Sequence, residues 1–195
     1  KNRKRRITIM KLKNLTELAR FRFHNDVDLD CSDIKESLPS WADEYGFEYT
    51  CEDDVISTGG IFTGTDYDCV KIYHPEHEYD YYNYYITLEP QGKTYLAVIY
   101  SGGTSKQIGK EEFAKNTKIF DGSTSRGVAA GAFTGGALGA GFAIGSLAGG
   151  LLKGGIKAIA KGVNALTRNE TALKEELEWY ELATTIFSSM FSDGE

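Results

Sequence analysis

The apolar positions of this chain follow three patterns: alternation, helical spacing, and one long uncharged run rich in glycine. Alternation governs the middle of the chain. Tyr82–Leu88 (YNYYITL) and Lys93–Tyr100 (KTYLAVIY) form the clearest strand pair, and Glu89-Pro90-Gln91-Gly92 between them, with proline second, predicts a hairpin turn. Phe47–Cys51 alternates and reads as a strand, STGGIFTGT as a Gly/Thr turn region, and Asp68–His74 as a β-branched and aromatic strand. Residues 13–23 mix helical and strand signals, and Leu15, Leu18, Ala19 and Phe23 predict a short helix there. Ser32 is placed to cap a first turn over Asp33–Leu38. Pro39 suits the first position of a helix holding Trp41, Ala42 and Tyr45, which Gly46 would end. One or two helices with three or four meandering antiparallel strands predict an α+β fold over residues 13–106, not the βαβ alternation of a parallel sheet.

Helical spacing takes over after a basic linker, residues 107–126, which ends in the flexible DGSTS at 121–125. Lys153, Lys157 and Lys161 recur every four residues opposite Leu152, Ile156, Ile159, Val163 and Leu166, the pattern of an amphipathic helix with a basic stripe. Thr167-Arg168-Asn169-Glu170 matches a capping box and predicts a last helix over 167–195, with Leu173, Leu177, Tyr180, Ile186, Phe187, Met190 and Phe191 on its apolar side.

Between these lies Gly127–Leu152, 26 residues without a charge. As one helix it is long enough to cross a hydrocarbon core of about 30 Å. Gly127, Gly131, Gly135, Gly139, Gly141, Gly145 and Gly149 recur at helical spacing, so another backbone can approach closely. Between Gly127 and Gly155 there are 11 glycines, which penalise an isolated helix by roughly 9–11 kcal/mol relative to alanine. Only eight of the 26 residues are Leu, Ile, Val or Phe, so a lone span inserts poorly. The run predicts a helix that needs a close partner, in a hairpin or an oligomer, over residues 127–166.

Charge sharpens this division. The net charge of −6 conceals +8 over residues 1–23, −15 over 24–90, +7 over 91–169 and −6 over 170–195. An acidic folded part argues against nucleic acid as a partner. Residues 1–12 form a basic tail, and Met10 is a candidate natural start, with Lys1–Ile9 then lying upstream of it. No apolar signal segment appears in KNRKRRITIM. Cys31, Cys51 and Cys69 are odd in number and widely spaced, which fits reduced thiols in a cytoplasmic domain better than a disulfide framework or a zinc ribbon.

The glycine run resembles the glycine-zipper segments of bacterial envelope proteins, pore-forming peptides and bacteriocin-like toxins. That resemblance implies a non-enzymatic membrane-associating protein, a bacterial effector or pore-forming toxin among its forms, with Lys153, Lys157 and Lys161 at the membrane surface. The alternative is a cytoplasmic soluble interaction module with a glycine-packed hairpin, whose Tyr-rich acidic sheet binds a protein partner.

The remaining constellations are weaker. His74 and His77 sit among three carboxylates in HPEHEYD, a candidate metal pair, although Pro75 places them in a loop and a solvated hairpin tip is the plainer reading. Tyr79, Tyr81, Tyr82 and Tyr84 are candidates for partner binding, because tyrosine joins an apolar ring to a hydrogen-bonding tip. Alternation sends Tyr82 and Tyr84 to one face of a sheet and Tyr85 to the other. Gly102-Gly103-Thr104-Ser105-Lys106 lacks phosphate-loop spacing, and Glu52, Asp53 and Asp54 read as an acidic turn. No catalytic constellation stands out, so neither an enzyme nor a cofactor is expected.

Overall fold

The computed structural model describes residues 10–24, 28–59, 64–117 and 170–191. Six strands form one mixed sheet: β1 (Met10–Lys11), β2 (Thr16–His24), β3 (Thr50–Ser57), β4 (Asp66–Tyr73), β5 (Tyr82–Gln91) and β6 (Thr94–Gly103), in the order β1-β3-β4-β5-β6-β2. β3 to β6 are an antiparallel meander, β2 pairs antiparallel with β6, and β1 pairs parallel with β3. Among the described residues three α-helices accompany it: α1 (Cys31–Tyr45), α2 (Lys110–Thr117) and α3 (Glu170–Phe191). The fold is α+β, with six strands in place of the three or four expected.

β2 accounts for much of that difference. Residues 16–24 are a strand, not a short helix, because Ala19, Phe21 and Phe23 point into the core while Arg20, Arg22 and His24 stay exposed. A bulge between Glu17 and Ala19 buries Leu18 beside Ala19, which blurs the alternation. α1 also departs from expectation. It is one helix running through Pro39, capped by Asp30, whose carboxylate accepts from the Ser32 amide while Asp33 accepts from the Asp30 amide. Ser32 is therefore not the cap. Gly46 does end the helix, at a left-handed φ of 65°. In the β5–β6 hairpin Pro90 lies within the ladder opposite Tyr95, and the two-residue turn is Gly92-Lys93, with Gly92 at φ 70°.

The sheet is curved. Lys11 and Thr16 sit in strands at opposite edges, and five residue steps reach at most about 18 Å. Six flat strands would hold those edges about 24 Å apart. Leu12 and Leu15, in the short 3-10 turn and just after it, lie on one face with Ile56, Cys69, Tyr85 and Tyr100. The other face carries the main core. Val70 and Ile72, Tyr84 and Ile86, Ala97 and Ile99 meet Ile34, Leu38 and Ala42 of α1 and the apolar stripe of α3. All seven apolar positions expected on the last helix are buried, and Trp179 and Ala183 join them. The core thus does not close within residues 13–106: Phe113 of α2 and the whole inner side of α3 belong to it. The capping sequence Thr167-Arg168-Asn169 lies outside the described residues.

Candidate functional site

Among the described residues, a cluster of polar and aromatic side chains lies where α2 and α3 meet the sheet end formed by the β4–β5 loop and the β6–α2 turn. The loop is wound by its own backbone: the His77 amide donates to His74 O at 3.2 Å, and the Asp80 and Tyr81 amides donate to His77 O at 3.3 and 3.0 Å. Asp80 Oδ1 lies 3.2 Å from His77 Nδ1, and Oδ2 accepts from Lys106 Nζ at 2.9 Å. The Lys106 ammonium holds the Asp80 carboxyl below the usual carboxylate range.

His74 and His77 are not a solvated tip. Their ring centroids are 4.7 Å apart, His77 stacks on Tyr81 at 4.3 Å, and His74 meets Trp179 of α3 edge-on at 5.8 Å. Burial lowers the His74 imidazole below its usual 6.5 and pushes the Tyr81 phenol up to about 12. His74 Nδ1 is taken by the Glu76 amide at 3.2 Å. Among the described residues no group of three His, Cys, Asp or Glu is arranged to hold a metal ion.

The tyrosines divide as alternation expects. Tyr82 and Tyr84 face the helices, and Tyr85 faces the smaller cluster with Ile56 and Cys69. Tyr81, Tyr82 and Tyr84 are buried against α3, so their partner here is the chain's own helix; only Tyr79 is exposed, at 85%. The Tyr82 amide donates to Tyr180 OH at 2.7 Å, and Tyr82 OH donates to Ile108 O at 3.0 Å. Phe113 of α2 sits 4.4 Å from the Tyr82 ring and 4.7 Å from the Tyr180 ring. Tyr82 is thereby a common post for both helices.

Glu176 and Ser105 complete the group; from the sequence Ser105 enters only as part of the Gly102–Lys106 stretch, and Glu176 does not enter. Ser105 Oγ accepts from the Gln107 and Ile108 amides, both at 2.9 Å, shaping the turn into α2. Glu176, one turn before Tyr180, is wholly buried and accepts from Tyr180 OH at 2.6 Å. A glutamate falling on the apolar stripe of an otherwise amphipathic helix was the one available signal. Gly102 and Gly103 end β6 and Lys106 binds Asp80, so this segment is a structural turn in place of a phosphate loop. Glu52 and Asp53 are strand residues whose carboxylates are paired with Lys71 and Lys35.

The glycine positions 127–149 and Lys153, Lys157 and Lys161 lie outside the described residues. Among the described residues no helix is long and apolar enough to cross a membrane. No family model, no curated protein and no solved structure matches this chain.

Proposed function

We propose that this is a non-enzymatic, membrane-associating protein in which the glycine-rich run leaves a folded head and returns to it on the same side of the bilayer. One observation carries the reading: α2 and α3, which bracket residues 118–169, belong to one core, with Phe113 and Tyr180 in ring contact at 4.7 Å. A segment tied at both ends to one packed body crosses a bilayer an even number of times or not at all. That speaks against a single span.

Length narrows the choice further. A hairpin within the 26 uncharged residues has limbs of about 12 residues, about 18 Å each, short of a hydrocarbon core of about 30 Å. The geometry suits a re-entrant or interfacial hairpin. Gly131, Gly135 and Gly139 on one limb then face Gly141, Gly145 and Gly149 on the other, where close backbone approach offsets their poor helix propensity. Basic residues flank the run on both sides, Lys118 and Arg126 before it and Lys153, Lys157 and Lys161 after it. In a single span these flanks compete for one side; in a hairpin both face the same anionic surface.

The test keeps the head intact. Replacing residues 122–168 by a flexible Gly/Ser linker retains α2 and α3. The intact chain is expected to float with vesicles containing phosphatidylserine, and the linker variant to remain behind with unchanged cooperative unfolding. An intact chain that does not float with those vesicles overturns the reading.

A further inference from the structure

Glu176 lies on the buried side of α3, and none of it reaches solvent. Its Oε1 accepts from Tyr180 OH at 2.6 Å, and that same phenol oxygen accepts from the Tyr82 amide at 2.7 Å. Its Oε2 has no hydrogen-bond partner. Each surrounding element brings a titratable or polar group to it: Asp80 and His77 from the β4–β5 loop, Ser105 from the β6–α2 turn, Tyr180 from α3. The phenols of Tyr81, in the β4–β5 loop, and of Tyr82 and Tyr84, on β5, lie within its field as well. Lys106 in the β6–α2 turn is bound to Asp80, and no described lysine or arginine is ion-paired with Glu176. A carboxylate so placed has lost its water and gained no cation.

We propose that Glu176 is a proton-operated latch: protonated, it lets α3 close on the β4–β5 loop and the β6–α2 turn, and ionised, it loosens that closure. Burial raises its carboxyl above the usual 4.5; the Ser105 and Tyr180 hydroxyls oppose the shift, the Asp80 charge adds to it, and His77 opposes it. Below pH 4.5 docked and undocked forms both hold the proton, and Glu176 adds no pH dependence. Above 4.5 the undocked helix releases its proton first and binds fewer protons than the docked one. Docking therefore weakens with rising pH until the docked carboxyl ionises too.

His74 sets the opposite limit. Its imidazole, packed on Trp179 and lowered by burial below 6.5, resists protonation when docked, so docking also weakens as pH falls below 6.5. The two groups act in opposite senses, Glu176 favouring docking toward lower pH and His74 toward higher pH. The latch does not depend on where residues 118–169 lie.

Hydrogen exchange of the α3 amides in the full chain, corrected for the intrinsic pH dependence of exchange, tests this between about pH 4.5 and about pH 8. Wild type and Glu176→Gln are expected to be equally protected at the acid end. At the alkaline end the Gln variant gains protection, by about tenfold for each unit by which the carboxyl midpoint exceeds 4.5. His74→Phe removes the acid limb and leaves the Glu176 slope in place. A protection ratio between wild type and the Gln variant that does not change with pH overturns the proposal. Should the Gln variant fail to fold, the carbon-13 titration of the Glu176 carboxyl in wild type decides: a midpoint above 4.5 supports the latch, and one at or below 4.5 ends it.

Discussion

Gly102 shows how one absent side chain shapes the curved face of the sheet. A Cβ there would stand 2.6 Å from Leu15 Cδ2 and 2.9 Å from Tyr85 Cε2. Leu15 is half-buried and has room to turn, but the Tyr85 ring is buried and has none. Gly102→Ala is expected to cost about 1–3 kcal/mol in denaturant unfolding, with the change read as a lower midpoint at constant slope. Tyr180→Phe removes a hydroxyl that serves both Glu176 and the Tyr82 amide. It is expected to cost about 1–3 kcal/mol and, because a donor to the carboxylate is lost, to move the Glu176 titration to still higher pH. A Glu176 midpoint unchanged in that variant would show that the phenol does not sense the carboxyl. The chain marks Tyr180 as an apolar-side residue of the last helix and Glu176 as a glutamate on that stripe, but nothing in it marks Gly102 as a site of close packing. Gly102 sits in a plain Gly-Gly pair, and the neighbours that explain it, Leu15 and Tyr85, are remote in sequence.

Among the elements, legibility followed the clarity of the period. β5, β6 and the apolar side of α3 are readable because each carries a sustained apolar pattern, over seven residues in Tyr82–Leu88 and eight in Lys93–Tyr100. β2 was misread because its bulge places Leu18 and Ala19 together, which imitates a helical step. β1 has two residues and exists only through its pairing with Ile56 and Ser57. α1 was divided at Pro39, yet Ile34, Leu38 and Ala42 lie on one buried stripe across the proline, and their burial against β4 and β5 outweighs one missing amide. α3 shows how much one element carries. Leu177, Ile186, Phe187 and Phe191 are each at most 5% exposed, so a chain ending at Thr117 uncovers the main core. Such a chain is expected to lose cooperative unfolding and near-ultraviolet dichroism, whereas the Gly/Ser linker variant retains both. A truncated chain that unfolds cooperatively would show that α3 docks on a head already complete.

Across the whole molecule, the decisive fact is that α2 and α3, which precede and follow residues 118–169 in the chain, belong to one core. From the sequence, residues 127–166 look like part of an appendage trailing from a finished domain, yet the helices before and after them in the chain share one core. This makes a sidedness prediction. In a chain with Cys31→Ser, Cys51→Ser and Cys69→Ala, new cysteines at Ser123 and Arg168 are expected to react with a membrane-impermeant maleimide from the same side of sealed vesicles. Opposite sides would refute the hairpin. Local physics along the chain was enough to specify the α+β class, the β5–β6 hairpin, the split of Tyr82 and Tyr84 from Tyr85, and the stripe of α3, because each depends on neighbours a few residues away. Only the tertiary structure decided the six-strand order, the curvature over Leu12 and Leu15, and the meeting of Glu176 with Tyr82, Asp80 and Ser105. Those depend on which distant residues are brought together, and a buried carboxyl looks like any solvated one until the groups around it are known.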